Sequence, residues 1–371
     1  MIIVDGHLDL ALNALQGNRD LTVSAYETRI AEFGRVGKGM AQGTVALPEM
    51  RQGRVALSFA VLTARSTGCV APHMDFASAV QADASAHGHL AYYRALEAEG
   101  HARLITDRQQ LDHHIFAWHQ WEQLADGVPA HADMPPLGFV VLMESADPVL
   151  APDRLEVWWD EGLRIIGPAH FGSGRYAGGT GSEQGLTPMG RELLAEMDRL
   201  GFILDLTHLS DASFWEALER FEGPVLASHS NCRTLVPNQR QFGDSQIAAV
   251  VERGGVVGVL LGCSDLVADW VVGARHNGAV TMRAVVDHIE HACSVAGDAL
   301  HVAIGTDLDG GVGRDEFPRD LDTIADLQSL PRLLQERGFS AGDVDNVMHG
   351  NWLRCLRGAW SSPAAARQVD G

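Results

Sequence analysis

The pattern that most constrains this chain is a short apolar run followed by a histidine or an acid, repeated from one end to the other. Ile2-Ile3-Val4 leads into Asp5-Gly6-His7-Leu8-Asp9, and Phe139-Val140-Val141-Leu142-Met143 ends at Glu144. Phe202 to Leu206 precedes His208, Pro224 to Ser228 precedes His229, and Val302 to Thr306 precedes Asp307. On an extended strand, side chains two apart point to one face, so His7 and Asp9 aim at one place. An imidazole and a carboxylate aimed together are the beginning of a metal site.

Eight such strands are expected, near 2–6, 55–63, 138–143, 163–167, 202–206, 224–228, 255–261 and 301–305. They are rich in Val, Ile and Leu, as strands covered on both faces should be. Helical patterns fall between them: Phe76 to Glu99, Asp107 to Leu124, Gly190 to Leu200, Asp211 to Arg220, Asp244 to Arg253 and Thr281 to Ala296. Ser210-Asp211 and Asp244-Ser245 read as helix starts. Alternation of this kind gives an α/β fold, either a closed (β/α)8 TIM barrel or a doubly wound open sheet. The barrel is preferred, because strand-end residues from so many strands converge only if the sheet closes. The stretch 64–136 reads as a helical insertion between the second and third strands. The glycine-rich stretch 168–186 reads as a flexible loop at the mouth of the site. A single domain spanning 1–371 is expected, with a frayed tail over 362–371.

Composition removes several classes. A formal charge of −20 argues against binding nucleic acid or an anionic membrane through bulk electrostatics. Cys69, Cys232, Cys263, Cys293 and Cys355 are odd in number and contain no CxxC, so neither a disulfide framework nor a thiolate zinc site is expected. Reduced thiols fit a cytoplasmic protein. Residues 2–4 read as the first strand rather than a leader, and no apolar run approaches membrane-span length.

Three histidines and two acids at strand ends suit two divalent metals better than one closed structural zinc. Two metals roughly 3.5 Å apart share a hydroxide and a bridging carboxylate. Glu144 is the best bridge, since its two oxygens can serve one ion each. Lys38, the sole lysine, lies in a glycine-rich stretch away from any strand end, which rules out a lysine-derived bridge. Asp307 suits a general base that takes a proton from water and returns it to a leaving amine. Asp309 reads as a supporting or turn residue. His113, His114 and His119 lie in an amphipathic stretch and read as packing or solvated side chains. His73, His87, His89, His131, His288 and His291 lack a strand-end setting.

These residues resemble the renal (membrane) dipeptidase family of the metal-dependent amidohydrolase superfamily. The matching pieces are Asp5-Gly6-His7-Leu8-Asp9, Met143-Glu144-Ser145-Ala146, Asp205-Leu206-Thr207-His208, Ala227-Ser228-His229-Ser230-Asn231 and Gly305-Thr306-Asp307-Leu308-Asp309-Gly310. The resemblance implies two zinc ions, the first on His7, Asp9 and Glu144, the second on Glu144, His208 and His229. It implies hydrolysis of dipeptides, often with tolerance for a D-residue at the carboxyl side. It assigns His170 to the scissile carbonyl and the oxyanion, and Arg240 to the free carboxylate of the substrate. A homodimer is the assembly the resemblance suggests, and a lipid anchor is not expected without an apolar carboxyl-terminal tail. Two places depart from the family pattern: the stretch Gly167-Pro168-Ala169-His170-Phe171-Gly172-Ser173-Gly174, and Gln241, where an asparagine usually follows the arginine. They leave open a related hydrolase acting on an N-acyl amino acid or another amide or ester. A third reading is a metal-binding protein without turnover.

Overall fold

The computed structural model describes residues 1–68, 74–124, 134–271 and 280–361. Cys69, His73, His131 and the tail 362–371 lie outside the described residues. Among the described residues nine strands form one parallel sheet: β1 (Ile3–Leu8), β2 (Val55–Leu62), β3 (Ala102–Leu104), β4 (Leu137–Met143), β5 (Leu163–Ile166), β6 (Ile203–Asp205), β7 (Val225–Leu226), β8 (Val257–Val259) and β9 (Val302–Ile304). Eight of them follow the order β7-β6-β5-β4-β2-β1-β9-β8. The ring closes where the Ala227 amide donates to Val256 O at 2.9 Å and the Gly258 amide donates to Ala227 O at 2.8 Å. The fold is the expected (β/α)8 barrel.

The ninth strand, β3, was not anticipated. It pairs with Leu137–Phe139 of β4, while β5 pairs with Val141–Met143 further along. The two share one edge of β4 in succession. Ala102-Arg103-Leu104 is too short to show a period of two, so only the edge it meets makes it a strand. It sits inside the helical insertion, between helices Ala79–Ala98 and Arg108–Leu124. Tyr93 and Trp118 of those helices are fully buried in the same hydrophobic cluster as the barrel strands.

The other expected helices are found close to their spans, at Pro188–Leu200, Asp211–Arg220, Asp244–Glu252 and Met282–Ala296, and further helices, among them Leu10–Leu15, Leu155–Asp160 and Asn351–Ala359, carry no such signal. Ser210 caps its helix as expected, accepting from the Ser213 amide at 3.0 Å. The other expected start shifts by one residue. Gly243 is the cap, and its amide donates to Gln246 Oε1 at 2.9 Å.

Strand register sets the site. Leu62, Met143 and Ile166 stand side by side across β2, β4 and β5, so Thr63, Glu144 and Gly167 begin the rim together. Inside the barrel, β1 and β9 approach β7 closely. A Cβ on Gly305 would lie 1.8 Å from Ser228 O, and one on Gly6 would lie 2.7 Å from it. Only glycine permits this approach, and it brings the His7 and His229 rings to a centroid separation of 3.7 Å.

The loop 168–186 is not the loose segment its glycines suggested. Bridges join Phe171 to Thr180, Ser173 to Gly178, Ala177 to Leu186 and Gly179 to Leu209. A Cβ on Gly179 would fall 1.8 Å from His170 O. Close packing of backbone on backbone, rather than conformational freedom, accounts for that glycine. Cys232, Cys263, Cys293 and Cys355 are free, and no helix among the described residues is long and apolar enough to cross a membrane.

Candidate metal centre

The carboxyl-end rim gathers His7 and Asp9 from β1, Glu144 after β4, His170 after β5, His208 after β6, His229 after β7 and Asp307 after β9. Glu144 is at their centre. Its Oε1 lies 3.5 Å from the Nε2 atoms of His7, His170, His208 and His229 alike. His7 Nε2 is 3.6 Å from Asp9 Oδ2 and 4.0 Å from Asp307 Oδ1. His208 and His229 turn their Nε2 atoms to within 3.2 Å of each other.

The residues just behind the rim orient these groups. Asp5 accepts from the His7 amide at 3.1 Å, from the Thr306 amide at 2.8 Å and from the Thr306 hydroxyl at 2.6 Å. It ties β1 to the turn that carries Asp307. Asp205 does the same on the other side, accepting from the Thr207 and Ser228 amides at 3.0 Å and from the Ser228 hydroxyl at 2.5 Å. With its hydrogen donated to Asp205, the Ser228 hydroxyl oxygen accepts from His229 Nδ1 at 2.9 Å. The Thr180 hydroxyl donates to His208 O at 3.2 Å and accepts from His208 Nδ1 at 3.0 Å. Both imidazoles therefore carry the proton on Nδ1 and present the Nε2 lone pair to the centre. The Thr63 hydroxyl donates a short hydrogen bond to Asp9.

His208 and Asp307 have φ of 66° and 55°, in the left-handed region. A non-glycine residue there costs about 1–3 kcal/mol and persists where its surroundings hold it. Asp309 at φ 61° is a support. Its carboxylate accepts from the Thr44 and Val45 amides at 2.8 and 3.0 Å, and does not face the cluster.

Burial and charge act in opposite directions on the four imidazoles. Burial pushes His170, His208 and His229 well below the usual histidine range, and the Arg240 guanidinium pushes the same way. Burial also disfavours the charged form of His7, yet Glu144, Asp9 and Asp307 together raise it to about 10. Burial raises Glu144 to about 8 and Asp307 to about 7. The residues fit a metal pair. His7 Nε2 is buried without a hydrogen-bond partner, neutral imidazoles offer lone pairs, and the spacings around Glu144 are too long for hydrogen bonds.

Arg240 stands beside this centre. Its Nη2 donates to His229 O at 2.9 Å, and its Nη1 is buried without a partner. Gln241, the departure next to it, turns away. It is fully buried, receives the Asn231 amide at 3.0 Å and donates to Asp265 at 2.7 Å. Its side chain braces the loop rather than lining the site. Lys38 is exposed and lies near Glu316, as a lysine with no part in the centre should. Sequence reasoning missed Arg65, Thr63, Thr180, Asp205 and Ser228. Asp205 and Ser228 stood within the quoted motifs, but Arg65 and Thr180 carry no local signal.

A family sequence model described as "Membrane dipeptidase (Peptidase family M19)" matches residues 1–367. The chain belongs to the membrane dipeptidase family. Among solved structures, the dipeptidase AC, a metallopeptidase, is 25% identical with a TM-score of 0.74, over 98% of this chain and 99% of its own. A metallopeptidase from Rhodobacter sphaeroides, liganded with a phosphinate mimic of the dipeptide L-Ala-D-Ala, is 25% identical with a TM-score of 0.73, over 97% and 99%. An uncharacterized protein in the pqqA 5' region of Klebsiella pneumoniae is 32% identical over 56% of this chain and 76% of its own length. Dipeptidase tcpJ of Claviceps purpurea is 29% identical over 55% of this chain, which spans only 46% of that protein. Membership in the membrane dipeptidase family accounts for a metallopeptidase centre on a barrel of this kind.

Proposed function

We propose that this protein hydrolyses dipeptides with a pair of divalent metal ions, zinc being the natural choice for three imidazoles and two carboxylates. The observation that carries the reading is the single carboxylate oxygen of Glu144 within 3.5 Å of four buried imidazole nitrogens. His7, Asp9 and Glu144 would hold one ion, and Glu144, His208 and His229 the other. Bound there, the ions supply Lewis acidity that activates water and polarises a carbonyl. Asp307, whose carboxyl burial raises to about 7, suits a group that accepts a proton and then returns it to the leaving amine. The unpartnered Nη1 of Arg240 offers a donor to a free carboxylate at the end of the substrate. The phosphinate dipeptide mimic held by the Rhodobacter relative supports a dipeptide, with a D-residue tolerated at the carboxyl side.

The protein loaded with zinc should cleave members of a panel of L,L and L,D dipeptides. A fully metallated sample inert across the panel overturns the reading. Arg240→Ala should raise KM about 10–100-fold for substrates with a free carboxylate. A second reading rests on Phe171. Its half-exposed ring lies 4.9 Å from the His170 and His208 rings, an apolar wall that would suit an acyl chain. Faster cleavage of N-acyl amino acids than of any dipeptide would select it.

A further inference from the structure

Distance alone does not separate ligands from other groups in this centre. His170 Nε2 is as close to Glu144 as the Nε2 atoms of His208 and His229 are. Glu144, His170 and His208 satisfy the spacing for a metal-binding triad as well as Glu144, His7 and His229 do. What separates them is the far side of each ring. Behind His208 and His229 are hydroxyl oxygens that accept from Nδ1. Behind His170 is a guanidinium, with Arg65 Nη1 lying 2.7 Å from His170 Nδ1. Arginine has donors and no acceptor. At that contact Nδ1 must be the acceptor, so the ring proton of His170 resides on Nε2.

We propose that Arg65 is a positioning residue that fixes His170 as a hydrogen-bond donor toward the centre and thereby keeps it out of the ligand set. This rests on the dipeptidase reading, in which a donor at that point meets the carbonyl oxygen of the scissile bond as negative charge develops on it. The guanidinium is itself held. Its Nε lies 3.1 Å from the fully buried carboxylate of Asp75. The Arg65 amide donates to Met74 O at 2.9 Å, and the Phe76 amide donates to Arg65 O at 2.7 Å. Asp75 in turn accepts from the Thr67 amide at 2.9 Å. The ion pair with Asp75 and the two backbone hydrogen bonds of Arg65 hold the guanidinium where Nη1 meets His170. Lysine would keep a donor but lose the fork that engages Asp75 and His170 together.

The test is the tautomer. In zinc-loaded protein labelled with 15N-histidine, long-range proton–nitrogen spectra should show His170 protonated at Nε2, with its signals assigned by their loss in His170→Gln. His208 and His229 should show protons at Nδ1. In Arg65→Met the His170 pattern should move toward the Nδ1 form, and kcat should fall about 100-fold with KM within a few-fold and metal content unchanged. Arg65→Lys should recover part of both the spectrum and kcat. A wild-type spectrum with His170 protonated at Nδ1 overturns the proposal even if Arg65→Met fails to fold. So does a folded Arg65→Met with wild-type spectrum and kcat. If the wild-type protein cleaves no dipeptide, the function reading fails, and the spectrum still decides the role of Arg65.

Discussion

The two sides of Glu144 are built from opposite materials. Toward β1 and β9, one imidazole, His7, faces three carboxylates, those of Asp9, Glu144 and Asp307. Toward β5, β6 and β7, three imidazoles face one carboxylate and the Arg240 guanidinium. All four rings are buried, yet His7 is raised to about 10 while the other three are pushed well below the usual range. Burial is common to both sides, so the neighbouring charge decides the sign. The acidic side demands a cation, and the imidazole side offers neutral lone pairs. Glu144 belongs to both, so its carboxylate is the group that would join a metal pair across the two sides.

The most severe way to break this contrast is to remove the shared charge. Glu144→Gln keeps the shape, and should lose most bound metal by elemental analysis and at least about 1,000-fold in kcat/KM. Retention of full metal content would show that Glu144 does not join the two sides. Asp307→Asn alters the acidic side alone. It should lower kcat about 100- to 10,000-fold with metal content near wild type. On the imidazole side, Thr180→Val removes the acceptor behind His208 Nδ1. Metal affinity, measured by competition with a chelator, should weaken about 10–100-fold. An unchanged affinity would mean that the hydroxyl does not orient the ligand.

A histidine outside the rim supplies the control. His114 Nε2 donates to Ala56 O at 2.8 Å, and burial pushes its pKa from 6.5 down to about 4. The folded protein keeps this ring neutral, while the unfolded chain binds a proton below pH 6.5. Its contribution to stability is therefore complete above that pH and is lost as pH falls toward 4. His114→Gln should flatten the decline of stability with acidity by up to about 1.4 kcal/mol per pH unit. Urea midpoints near neutrality and near pH 5 measure it, and parallel profiles for the two proteins would exclude burial as the controlling force.

Much of the site was legible in the sequence because a closed parallel barrel delivers whatever follows each strand to one rim. His7, Glu144, His208, His229 and Asp307 all follow apolar runs and all arrive there. The expected strands and helices match the structure closely for the same reason, since their hydrophobic patterns are local. β3 escaped because three residues show no period, and the stretch 168–186 misled because glycine marks close approach as often as freedom.

Strand periodicity and the place of each polar residue relative to a strand end were enough to specify the barrel and the groups on its rim. What each imidazole does there depends on packing. The partner that sets the proton on His170 lies 105 residues away, and the one behind His208 lies 28 away. Placement at a strand end follows from neighbours along the chain, whereas a ring's tautomer and charge follow from neighbours in space.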